Sequence, residues 1–109
     1  MAETYTMGFW TAKTGEEDAF IAAWTEFAEW MKDQPGVRTM RLVRDVKEPA
    51  KFISFADWDS IESIHAWKAT DEFKQRIGRV KQHTDEFTAV EAELAVSIAA
   101  TASVTYQSY

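Results

Sequence analysis

The chain has 109 residues, 46% of them hydrophobic and 14% aromatic, with a formal net charge of −6 and no cysteine. That length suits one domain with ample material for a core, outside the disordered class. The acid excess argues against a nucleic-acid partner, and the missing thiols remove disulfides, thiol nucleophiles and zinc–thiolate sites.

Residues 4–12 (TYTMGFWTA) read as a first strand, stopped by Lys13-Thr14-Gly15. Thr14 and Glu17 stand at capping-box spacing, and Glu16, Glu17 and Asp18 suit the positive start of a helix. That helix is expected to run to about Asp33, with Phe20, Ala23, Trp24, Phe27 and Met31 on one face. Gln34-Pro35-Gly36 stops it. Val37–Val46 reads as the second strand, with Val37, Thr39, Arg41 and Val43 on one side and Met40 and Leu42 on the other. Lys47-Glu48-Pro49-Ala50 then connects to a third strand, Lys51–Trp58. Asp59 and Glu62 repeat the capping-box spacing ahead of a short helix to about Lys68, which carries Ile61, Ile64 and Trp67 inward. A break at Thr70-Asp71 restarts the helix, with Phe73, Ile77 and Val80 buried. Thr88–Ala100 reads as the last strand, and residues 101–109 as a polar tail, frayed or exchanged with a partner copy.

The order β-α-β-β-α-β is that of the ferredoxin-like sandwich, an α+β fold with a four-stranded antiparallel sheet and its helices on one face. No repeat or linker divides the chain, so residues 1–109 are expected to form a single domain with its core in 4–100. The strands are apolar on both sides: Tyr5, Met7 and Phe9 oppose Gly8 and Trp10, and Ile53 and Phe55 oppose Phe52, Ala56 and Trp58. Two helices cover one face. A second copy is expected to cover the other, making a homodimer through the sheet. The chain enters its first strand without a charged leader, and no apolar stretch approaches about 20 residues. A cytoplasmic protein that neither enters nor spans a membrane is therefore expected.

The chain resembles the antibiotic biosynthesis monooxygenase-like domains, of dimeric α+β barrel fold, over residues 4–100. The resemblance rests on the aromatic first strand ending in Thr14-Gly15-Glu16-Glu17 and the helix carrying Phe20, Trp24 and Phe27. It continues through Gln34-Pro35-Gly36-Val37, Arg41-Leu42-Val43-Arg44, Phe52-Ile53-Ser54-Phe55-Ala56-Asp57-Trp58-Asp59-Ser60 and Ile64-His65-Ala66-Trp67. It implies the fold strongly and the chemistry weakly, because the family includes cofactor-free oxygenases of aromatic polyketides, haem-degrading oxygenases and proteins of no known activity.

The haem-degrading branch uses an Asn on the first strand, a Trp in the second helical region and a His beyond it. Trp67 fits, but the first-strand position falls at about Gly8 and the His position at Arg76 or Ile77. A guanidinium has no lone pair for iron. The resemblance points instead to a cofactor-independent monooxygenase-like protein acting on a small aromatic or quinol-type ligand, with no cofactor or metal. Trp24, Phe27, Trp58, Trp67 and Phe73 are the expected pocket walls. His83 is the candidate catalytic base, since imidazole exchanges protons near neutrality, and Arg76 the candidate holder of a phenolate or enolate; seven residues apart, the two share a helix stripe beside the apolar one.

Plainer roles compete. Arg76 follows Glu72 at i+4 spacing, which suits a surface ion pair, and His83 suits a solvated helix end. His65 suits a structural role. Arg41 and Arg44 are expected to pair with Glu91 and Glu93 across the sheet or the dimer seam. A non-catalytic dimer that binds a small ligand is the alternative reading. The two separate on whether His83 or Arg76 faces a cavity, or Trp24, Trp67 and Phe73 fill the interior.

Overall fold

The computed structural model describes residues 3–101. Within them the elements are β1 (Thr4–Ala12), α1 (Glu17–Met31), β2 (Val37–Arg44), β3 (Lys51–Trp58), α2 (Ile61–Lys68), α3 (Asp71–Lys81) and β4 (Thr84–Glu93). All strand pairs are antiparallel, in the order β2-β3-β1-β4, so the first and third strands form the centre.

Alternation assigns the faces. Toward the helices point Trp10 and Ala12 of β1 with Phe52, Ala56 and Trp58 of β3, all buried. Phe20, Phe27 and Met31 of α1, Ile64 and Trp67 of α2 and Val80 of α3 close the core above them. The other face carries Phe9, Val43, Ile53 and Val90, which are 37–46% exposed within one chain. An antiparallel sheet with one solvated face would ordinarily be polar there.

The local signals explain most boundaries and correct some expectations. Hydroxyls cap two helices: Ser60 Oγ accepts from Ser63 N at the start of α2, and Thr70 Oγ1 accepts from Phe73 N at the start of α3. The Asp59 carboxylate accepts from the Ser60 and Ser63 hydroxyls and does not cap the helix itself. At α1 the expected Thr14 cap does not form. Gly15 takes a φ of +84°, and Glu16 precedes the helix without a capping side chain. The register shift between Val37 and Thr39 moves Val37 to the helix face, opposite Trp58, while Thr39, Arg41 and Val43 stay outside.

The last strand begins at Thr84, earlier than expected, and stops at Glu93. Its pairing with β1 ends where β1 does, at Thr4 opposite Glu93, and Leu94 N makes one more bond to Glu3 O. The alternating Val96 and Ile98 have no strand beside them among the described residues and are 71% and 85% exposed. The tail at 102–109, expected to fray or cross to a partner, lies outside the described residues. No helix among the described residues is long and apolar enough to cross a membrane.

Candidate functional site: a hydroxyl-floored aromatic cavity

The register places small side chains in two adjacent rows beneath the helices. One row is Ala89, Gly8 and Ser54 on β4, β1 and β3; the next contains Thr6 and Ala56. Bulky rows flank them, with Phe87, Trp10 and Phe52 on one side and Trp58 on the other. Small floor residues between tall neighbours leave space under α1, α2 and α3. That space is a cavity of about 240 Å³, and Trp24, Phe27, Trp67 and Phe73 form walls of it. Ala89 and Lys81, both exposed, mark its open side between the edge strand β4 and α3.

The walls hold one another. Trp67 meets Phe73 edge-on at 4.5 Å between ring centroids and Trp58 at 4.9 Å, and lies 5.9 Å from Phe27. Trp10 stacks on Phe87 at 3.9 Å and donates its indole N–H to Ser54 Oγ at 2.9 Å. The Trp58 indole N–H donates to Thr6 Oγ1 at 3.0 Å. Each floor hydroxyl accepts from an indole and so keeps its own hydrogen to donate.

Gly8 is required beneath this arrangement. A Cβ there would stand 2.6 Å from Trp10 Nε1 and 2.7 Å from Ser54 Oγ. The Trp67 indole N–H is buried and has no hydrogen-bond partner among the described residues. An unpaired buried donor costs about 1–3 kcal/mol, and this one is shut off from the cavity as well as from solvent.

Among the described residues, the cavity lining contains two ionisable side chains, Lys68 and Lys81, and no carboxylate or imidazole. Lys68 is paired at 3.0 Å with Glu91, which also meets His65 Nε2 at 3.0 Å. These bonds, from Lys68 first and then His65, hold the Glu91 carboxyl below the usual carboxylate range. Among the described residues, no group of His, Asp and Glu has the arrangement to hold a metal ion.

The expected site residues divide. Trp24, Phe27, Trp67 and Phe73 line the cavity; Trp58 lies fully buried and braces Trp67 from outside the lining. Neither His83 nor Arg76 lines it. Helix α3 ends at Lys81, so His83 leaves the helical stripe, and its Nδ1 lies 3.0 Å from Glu16 Oε1 near the start of α1. Arg76 donates to Glu72 at 2.8 Å and lies over the Trp30 ring, beside a separate cleft of about 30 Å³. His65 is exposed and bonded to Glu91.

Arg41 and Arg44 cannot meet Glu91 or Glu93 within one chain, because β2 and β4 are opposite edges of the sheet. Arg44 instead donates to Pro49 O at 2.6 Å. The floor hydroxyls Ser54 and Thr6 were not anticipated. Their signal is the run of small residues at alternate positions in the central strands, Thr6 and Gly8, then Ser54 and Ala56.

A sequence profile for antibiotic biosynthesis monooxygenases matches residues 5–79, so the chain belongs to that family. No curated protein is matched by the sequence. Among solved structures, a candidate antibiotic biosynthesis monooxygenase from Bordetella bronchiseptica superposes with a TM-score of 0.78 at 13% identity, over 88% of this chain and 100% of that one. Another from Deinococcus radiodurans also gives 0.78, at 16% identity, over 90% and 98%. SnoaB from Streptomyces nogalater, a cofactor-independent oxygenase, gives 0.76 at 15% identity, over 93% and 99%. At these identities the superpositions establish the fold.

Proposed function

We propose that the protein is a cofactor-independent monooxygenase-like enzyme acting on a small aromatic or quinol-type molecule held in the cavity, and that it works as a homodimer through the open sheet face. The aromatic cavity beneath the helices carries this reading. Ser54 and Thr6 reinforce it, since their hydroxyls face the same space with hydrogens to give. Such donors stabilise an oxygen anion on a flat substrate, which is what carbanion-type oxygenation needs. A diaryl methylene conjugated to a carbonyl loses a proton and becomes an enolate, which passes electrons to O₂. One oxygen atom stays as a new carbonyl and the other leaves as water with two hydrogens.

Without a carboxylate or imidazole in the lining, proton removal rests on the substrate's own acidity and the cavity's work is to stabilise the anion. The likeness to SnoaB, an oxygenase that works without a cofactor, agrees with this chemistry. The exposed Phe9, Val43, Ile53 and Val90 support the dimer, because a second sheet laid on them would remove that apolar surface from water.

The test is oxygen uptake with anthrone, compared with the protein-free rate. Uptake above that rate is expected, lowered roughly a hundredfold in Ser54→Ala, the usual loss for one oxyanion donor. Uptake no faster than in buffer, with anthraquinone still bound, would favour the alternative, a ligand-binding dimer without turnover. The same bare lining that leaves proton removal to the substrate is what favours that second reading.

A further inference from the structure

We propose that Lys81 is the anion anchor of the cavity, selecting flat apolar ligands that carry a carboxylate or another oxygen anion; this rests on the cavity being the ligand site. Both ionisable residues of the lining are lysines, in a chain whose formal net charge is −6. The two differ in their partners. Lys68 is satisfied by Glu91 at 3.0 Å, while no carboxylate among the described residues lies within ion-pairing distance of Lys81. Its ammonium lies 5.6 Å from the centroid of Phe87, itself a wall of the cavity, so the charge is held over the aromatic surface at the open side.

The other polar groups of the site agree in sign. The Ser54 and Thr6 hydroxyls offer hydrogens and no competing negative charge. A ligand that enters with an anionic oxygen toward β4 meets the ammonium first and lays its rings against Phe87 and Phe73. A cation of the same shape meets only donors.

Naphthalene-2-carboxylate and its neutral methyl ester test this as matched probes, followed by tryptophan fluorescence. The wild type should bind the carboxylate about tenfold more tightly than the ester, the usual scale for one charge-assisted hydrogen bond. Lys81→Met should bring the carboxylate down to the ester's affinity and leave the ester alone, and Lys81→Arg should keep the preference. Lys74→Met, which removes the same charge from an exposed position of the same helix outside the lining, should change neither. Equal binding of both probes by the wild type, or a preference that survives Lys81→Met, would overturn the anchor and leave the cavity reading standing. Failure of the wild type to bind either probe would overturn both.

Discussion

Single side chains decide how this cavity stays open. Gly8 is one: an added methyl would collide with the Trp10 indole and the Ser54 hydroxyl together. Gly8→Ala should therefore cost about 1–3 kcal/mol by urea denaturation, as overpacking does, and should also weaken ligand binding. A variant of unchanged stability would show that the indole has room to move. Trp67→Phe should behave oppositely on the two axes. It removes a buried donor without a partner, so stability should fall by less than about 1.5 kcal/mol or rise, while the smaller wall holds a flat ligand less well.

His83 illustrates what a helical wheel cannot convey. Its spacing from Arg76 suggested a shared stripe, but the helix stops two residues short of it and its ring turns to Glu16. The pH profile of oxygen uptake should accordingly follow the substrate's own ionisation and be the same in His83→Ala. A profile shifted by that substitution would return His83 to the chemistry.

Elements carry the next level of the design. Strand and helix order was legible because alternation and helical stripes are strong where large apolar residues repeat, as in Phe20, Trp24, Phe27 and Met31. The last strand was not, because Thr84-Asp85-Glu86 looks like a turn and Val96 and Ile98 look like strand. Pairing with β1 overrode both impressions: the partner extends to Ala12 at one end and Thr4 at the other. The cavity walls were legible from helix faces, whereas its floor depends on which strand lies beside which, and no single strand shows that.

Glu91 joins two elements, tying β4 to Lys68 and His65 of α2. Its carboxyl is held below the usual range, so the clamp stabilises the fold above the unfolded carboxyl's pKa. That contribution is lost as pH falls through the lower, folded value. Glu91→Gln should cost about 0.5–1 kcal/mol near neutral pH, with the deficit closing at a pH below the usual carboxylate range. An equal deficit at both values would mean that the charge does not matter there.

The whole molecule presents an imbalance that one chain does not resolve. Its helices cover one side of the sheet, and Phe9, Val43, Ile53 and Val90 are left toward solvent on the other. Placing a lysine among them, as in Ile53→Lys, should convert a sedimenting dimer into single chains, since an unpaired charge inside an apolar interface is strongly disfavoured. A wild type that sediments as one chain at micromolar concentration would remove the dimer.

The cavity does not depend on that outcome, because its floor and walls come from one chain. A crystal structure of the protein soaked with anthraquinone examines it most directly. The ring system is expected between Phe73 and the floor of Ser54 and Thr6, with a carbonyl oxygen accepting from the Ser54 hydroxyl. An empty cavity at saturating ligand, or a quinone bound elsewhere with the Ser54 hydroxyl still free of it, would contradict this.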